Sequence, residues 1–212
     1  MKAMAKKTTK KTSSRSTKKS STQRSAQEEI TPQSPREKLI ATANELFYSK
    51  GISNVGINEI IQAAGVARMT LYNNFKSKEA LVKEVLSMRA EKRASKLNTI
   101  FESGADPKKQ LNDIVTMFAN AITSAGYRGD PLNNASVELG ADAKLVTKLH
   151  AEQKETLRSN IESLAKKAKL AKAKRLSQSL MLLLDGATVA AQARDPNEVA
   201  KELKAAAKDL MS

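Results

Sequence analysis

The sequence predicts an all-α protein, on three observations. Ala, Leu, Lys and Glu dominate while aromatics make up only 3 % of the 212 residues, with 8 Gly and 5 Pro; that composition favours helix over sheet. Apolar residues recur at helical spacing from residue 39 onward. No β-branched run alternates as a half-buried strand would.

The chain opens with a stretch that has no such period. Residues 1–33 are rich in Lys, Ser and Thr and hold nine basic residues against two acids, Glu28 and Glu29. They carry too little apolar surface to offset the entropy of ordering, so a disordered basic tail is expected. Its role is read as a tether to DNA or as a solvated tail.

Order is expected from Ser34-Pro35-Arg36-Glu37, where Ser at N-cap, Pro at N1 and Glu at N3 form a capping box. Leu39, Ile40, Ala43, Leu46 and Phe47 give the stripe of a first helix, which Gly51 stops. A short helix over 57–64 follows, closed by Gly65, and a third over 67–74 turns Leu71 and Phe75 inward. Ser77 then caps a longer helix from Lys78 towards Phe101. Asp106-Pro107 opens the next, ending near Gly126, and a short segment covers about 133–139. A long amphipathic helix is expected from Asp142 to about Leu170, a strongly apolar one from Lys172 to Arg194, and a last one after Asp195-Pro196. The expected domains are 1–33, 34–86 and 87–212.

Charge narrows the function. Lys plus Arg number 37 against 22 Asp plus Glu, a net +15, which points to a polyanion, most commonly nucleic acid. The absence of cysteine excludes a disulfide scaffold, a thiolate zinc site and a cysteine nucleophile. His150 is the single histidine and has no partner set at metal-ligand spacing, so neither a metal, a cofactor nor an enzyme is expected. The apolar run 180–193 is broken by Asp185 and Gln192 and is too short to span a bilayer. With no apolar segment after the basic N-terminus, a cytoplasmic protein with no membrane partner is expected.

The functional signal is residues 57–72. Two short helices joined by a turn at Gly65, with Val66 at the corner, form a helix-turn-helix, whose second helix lies in the major groove. Ala67, Arg68, Met69, Thr70, Tyr72, Asn73 and Asn74 would be its exposed face. Arg68 suits guanine and Asn73 or Asn74 suits adenine or a phosphate, while Met69 and Thr70 suit a thymine methyl. Tyr72 and Lys78 suit phosphate. Gly56 and Asn58, where the first helix of the pair begins, complete the candidate DNA-binding set. The cluster Lys166, Lys167, Lys169, Lys172, Lys174 and Arg175 reads as a solvated connection between helices rather than a second DNA site.

Residues Arg36 to Leu86 resemble the DNA-binding domain of the TetR family of regulators. The resemblance rests on Ala43, Leu46, Phe47, Gly51, Ile60, Ala64, Gly65, Val66, Thr70, Leu71, Tyr72, Phe75, Lys78, Glu79 and Leu81, about a quarter of the chain. Two departures stand out. Val55 and Gly56 occupy positions where the family commonly has hydroxyl residues that cap the second helix and touch phosphate. Ala67 occupies a position that is often Ser.

The resemblance implies about nine helices, with a C-terminal helical domain for ligand binding and dimerisation. Met117, Phe118, Tyr127, Asn133, Asn134, Glu138 and His150 are candidate pocket residues, because polar groups there lie among apolar ones. Residues 127–134 are similar to a stretch found in one branch of the family. The apolar helix over 176–193 is wider than one face requires, so it calls for two partners. Leu176, Leu180, Leu183, Leu184, Ala187 and Ala191, with Val199 and Leu203 on the last helix, are the expected interface of a homodimer. Two copies would present recognition helices to a pseudo-palindrome with half-sites about 34–36 Å apart or a multiple of that.

The function read from the sequence is a sequence-specific DNA-binding transcriptional regulator, a repressor released from its operator by an unidentified small-molecule effector. Two alternatives stand beside it. One is an architectural, nucleoid-associated DNA binder without inducer; the other is a helical small-molecule-binding protein whose DNA-binding domain is vestigial.

Overall fold

The computed structural model describes residues 34–140 and 144–212. The expected tail, 1–33, lies outside the described residues, as does the expected start of the long helix at Asp142. Among the described residues there are nine helices and no strand: α1 (Pro35–Lys50), α2 (Ile57–Ala64), α3 (Arg68–Asn74), α4 (Lys78–Phe101), α5 (Pro107–Ile122), α6 (Pro131–Leu139), α7 (Lys144–Lys167), α8 (Ala173–Ala190) and α9 (Pro196–Leu210). None is long and apolar enough to cross a membrane.

Helix starts follow the local chemistry. Ser34 Oγ accepts the N–H of Glu37 at 3.2 Å, and the Glu37 carboxylate accepts the N–H of Ser34 at 2.7 Å, completing the capping box before α1. Asp106, Asp130 and Asp195 each cap a helix whose first residue is proline, at α5, α6 and α9. There the missing N–H costs nothing.

Two helix ends depart from expectation. α7 stops at Lys167 rather than near Leu170, because Lys169 turns left-handed (φ 56) and the Leu170 N–H bonds back to Ala165 O at 2.9 Å. This is a Schellman stop with lysine where glycine is usual. Lys172, also left-handed, then precedes α8, which ends at Ala190 rather than Arg194.

Packing forms two apolar cores. The first gathers Leu39, Ala43, Val55, Ile60, Leu71 and Leu81 from α1 to α4 and the loop between, and takes in Ala135 of α6 and Val146 of α7. The second joins α5, α7, α8 and α9 around Leu111, Ile114, Ile161, Leu180, Leu184 and Leu203. Helix α4 runs unbroken through residues 86 and 87 and lends Leu97 to the second core and Leu81, Val82, Val85 and Leu86 to the first. It is therefore one rigid rod shared by both.

The expected dimer residues need correction. Leu176, Leu180, Leu184, Ala187 and Ala191 are buried in the chain's own second core, as are Val199 and Leu203. The width of the apolar stripe reflects packing of α8 against both α7 and α9 of the same chain. Of the expected set only Leu183 stays partly open. Leu182 (74 % exposed) and Val189 (54 %) are the large apolar side chains that α8 leaves in solvent.

Candidate nucleic-acid interface

Helix α2 is anchored by Ile60, fully buried, and ends at Gly65 with φ 63 and ψ 37. In that left-handed turn the Val66 N–H reaches Ile61 O and the Gly65 N–H reaches Gln62 O. A Cβ at Gly65 would meet no neighbouring atom; backbone conformation alone is what calls for glycine here. Ala64 is half-buried at the corner, whereas Ala63 is exposed.

α3 is held by one buried residue, Leu71, with Phe75 buried just after it. The Arg36 guanidinium of α1 lies 5.4 Å from the Phe75 ring centre and pairs with Glu84 of α4, tying three helices together. Everything else on α3 faces outward or sideways. Ala67, Arg68, Met69, Tyr72, Asn73 and Asn74 are exposed, and Thr70 is half-buried. Met69, at 69 % exposed, is a large apolar side chain left mostly in solvent. Arg68 sits 5.8 Å from the Tyr72 ring centre, one helical turn away, which pre-sets its direction along the open face.

Two candidates are constrained by their own helix. The Asn74 amide donates to Thr70 O at 2.7 Å, so its N–H₂ is partly committed and Asn73 is the freer amide. Ala67 is the N-cap of α3 and offers no side-chain cap, and Gly56 does the same for α2. Val55, beside it, is fully buried. The first N–H groups of both helices are therefore without a side-chain acceptor, which suits them to an anion. Asn58 is exposed on the first turn of α2. Ser77 caps α4 by accepting the Ala80 N–H at 3.2 Å, and Lys78, half-buried, is the first residue of that helix. Lys76, exposed in the α3–α4 connection, adds a second cation there; the alternation Lys76-Ser77-Lys78 was its signal in the sequence.

The seven candidate pocket residues do not share one site. Met117, Phe118 and Tyr127 line a cavity of about 580 Å³. Asn133 and His150 line another, of about 460 Å³, and Asn134 and Glu138 a third, of about 220 Å³. Glu138 is engaged with protein: its carboxylate accepts the N–H groups of Ile52 and Ser53. The Asn134 amide likewise donates to Arg128 O at 2.7 Å. The Tyr127 hydroxyl donates to Thr188 O at 3.0 Å, and burial pushes its pKa well up, so it stays a neutral donor.

Sequence reasoning missed the residues that complete the cavity of about 580 Å³. Tyr48 of α1 donates to Gly129 O at 3.1 Å and accepts the Arg128 N–H at 2.7 Å. Arg89 of α4 lies 4.5 Å from the Tyr48 ring centre, and Arg93 pairs with Asp130.

Residues 39–85 match the family of bacterial regulatory proteins described as the tetR family. The chain is 32 % identical over 90 residues to the transcriptional repressor KstR2 of Rhodococcus jostii, covering 42 % of this chain and 44 % of that protein. It is also 32 % identical over 95 residues to the transcriptional activator FasR of Mycolicibacterium smegmatis, covering 44 % and 43 %. These matches span less than half the length of the curated relatives. A TetR-family transcriptional regulator from Streptomyces coelicolor superposes with a TM-score of 0.80 at 25 % identity, over 85 % of this chain and 90 % of that one. The reduced form of NemR from E. coli gives 0.74 at 19 % identity, over 84 % and 97 %. Residues 39–85 thus match the tetR family of bacterial regulatory proteins, and the helical architecture is shared along most of the chain with a solved TetR-family regulator.

Proposed function

We propose that the protein is a sequence-specific DNA-binding transcriptional regulator that acts as a homodimer, represses by occupying an operator, and lets go when a small molecule binds its C-terminal helices. The observation that carries this reading is α3 itself. A seven-residue helix held by the single buried side chain Leu71 presents Arg68, Met69, Tyr72, Asn73 and Asn74 outward. Such a face has little value for stability and suits a groove. The uncapped N–H groups at the starts of α2 and α3, with Lys76 and Lys78, add contacts that position the helix without reading sequence.

Two relatives that match part of the chain are named as repressors and one as an activator. Release by a ligand needs a coupling of only about 1–3 kcal/mol between cavity and reading head. The rod α4, which serves both cores, and α6, which touches α4 and α7, are the paths for it.

Selection from fragmented genomic DNA followed by footprinting tests the proposal. The expected result is a discrete inverted repeat protected on both halves. Uniform protection without sequence preference would favour the architectural alternative instead. Unaltered binding by Arg68→Ala combined with Tyr72→Phe would remove α3 from the interface.

A further inference from the structure

The cavity of about 580 Å³ is bounded by α1, α4, α5 and the segment 124–132. Its two sides differ in chemistry. Met117 and Phe118 of α5 and Leu132 of α6 supply an apolar wall. Facing them, α4 places Arg89, Lys92, Arg93 and Lys96 on the cavity within two helical turns.

One carboxylate, Asp130, lines the same space, and it is taken by Arg93. Among the described residues no carboxylate lies within ion-pair distance of Arg89, Lys92 or Lys96. Arg89 is the telling one. It is half-buried, stacked 4.5 Å from the Tyr48 ring centre, and its hydrogen bonds go to the neutral side chain and the backbone carbonyl of Asn44. Like charges three and four residues apart on a helix repel, and a partly desolvated guanidinium gains most from an anion it can hold through two N–H groups.

We propose that this cavity binds a small organic carboxylate with a compact apolar body, the carboxylate held at Arg89 with Lys92 and Lys96 at the rim and the body against Met117, Phe118 and Leu132. The inference deepens the regulator reading by giving its effector a chemical class, and to that extent rests on it. The volume lies within the range of ordinary small-molecule sites. A singly charged head is favoured over a phosphate because half the wall is apolar and a dianion would lose more hydration there. Burial lowers the pKa of Arg89, with Tyr48 and Asp130 pulling it back up; an incoming anion would relieve that desolvation cost.

The cavity also touches both halves of the regulator. Tyr48 belongs to α1 and is hydrogen-bonded to residues 128 and 129, and Arg89 bridges Tyr48 and Asn44 from α4. A carboxylate that recruits Arg89 competes with those contacts directly.

Isothermal titration calorimetry of the full chain without DNA tests the proposal. The probes are octanoate, decanoate and naphthoate, each compared with its primary amide and with the matching phosphate monoester. At least one carboxylate is expected to bind with Kd below about 1 mM and about tenfold tighter than its amide. Arg89→Gln should erase that preference. Lys92→Gln with Lys96→Gln, on exposed positions that do not threaten folding, should reduce it and flatten its salt dependence. Equal binding of acid and amide, no binding by any carboxylate, a phosphate bound in preference, or a preference that survives in all three substitutions together would overturn it. DNA release is read separately: a carboxylate that binds without releasing an operator defeats the effector role and leaves the site standing.

Discussion

The carboxylate of Glu138 accepts the backbone N–H of Ser53 at 2.6 Å, and its other oxygen accepts that of Ile52 at 3.0 Å. This joins the last turn of α6 to the loop between α1 and α2, partners more than eighty residues apart in sequence. Gly51 makes room for it, since a Cβ there would lie 3.1 Å from a Glu138 oxygen, and at φ 90 the position is strained for any other residue. Among the described residues, Glu138 is the side chain of α6 that holds the backbone leading into α2.

Replacing Glu138 should therefore act on stability and on acid sensitivity together. Glu138→Ala is expected to cost about 1 kcal/mol, the scale of lost hydrogen bonds to a solvent-accessible carboxylate. Burial pushes the Glu138 pKa up, but the N–H groups of Ser53 and Ile52, with Lys78 nearby, bring it below its ordinary value of 4.5. A depressed folded pKa adds stability above the unfolded value, and that stability disappears as pH falls through the folded one. Urea midpoints measured across this acid range should fall less steeply for Glu138→Gln than for the parent. Parallel curves would show that the carboxylate is not held in solution.

Arg68 and Lys78 should separate reading from positioning. Arg68→Ala is expected to cost about 1–3 kcal/mol of operator affinity and to relax preference at one base position. Lys78→Ala should weaken all sequences alike and lower the slope of log affinity against log salt by about 1. Competition binding to the operator and to single-base variants, at several salt concentrations, gives both readouts. An Arg68 variant that loses affinity evenly across sequences would make it a phosphate contact.

How far the sequence foretold this arrangement depended on the range of the interactions. Caps and stops are local, so Ser34 with Glu37, Gly65, Asp106-Pro107 and Asp195-Pro196 were legible residue by residue. The left-handed Lys169 and Lys172 were not, because lysine carries no signal for that conformation. On the seven-residue helix α3, exposure follows from the helical period around Leu71, so the exposed candidate face was legible directly. The cavities did not, since they depend on which helices meet. Tyr48, Arg89 and Asp130 lie far apart in the chain and look like ordinary surface residues until α1, α4 and the 124–132 segment come together. The same blindness misassigned α8: periodicity gave the width of its apolar stripe but not whether a second face was covered by α7 and α9 or by another molecule.

For the proposed dimer, the exposed stripe of α8 rather than its buried one is decisive. Leu182, Gly186 and Val189 are exposed at spacings of four and three, one helical line. Leu182→Glu with Val189→Glu should leave the fold intact and shift the protein to monomer in sedimentation velocity. Leu184→Ala, at a fully buried position, should instead cost about 2–5 kcal/mol of stability. A charged pair on the exposed stripe that leaves the sedimentation coefficient unchanged would place the two-fold contact elsewhere.

His150 supplies a second handle on pH, of a different kind. Its Nε2 is buried with no hydrogen-bond partner among the described residues, and its Nδ1 is 3.4 Å from Ser136 Oγ. Burial lowers its pKa; Asp130 and Asp185 oppose that, while Lys154 and Arg93 reinforce it. The imidazole is thus neutral in the folded chain near neutrality and resists protonation there. In the unfolded chain it takes up a proton near its ordinary value of 6.5. Stability is therefore full above that value, and it declines as pH falls from there through the lower folded pKa. His150→Phe removes both the titration and the unpartnered nitrogen, so the variant should lose less stability than the parent between about pH 7 and about pH 5. Thermal or urea unfolding at matched ionic strength measures the difference. A gap between the two proteins that stays constant over that interval would mean that the ring is solvated, and that the cavity shared by His150 and Asn133 is open to water at that end.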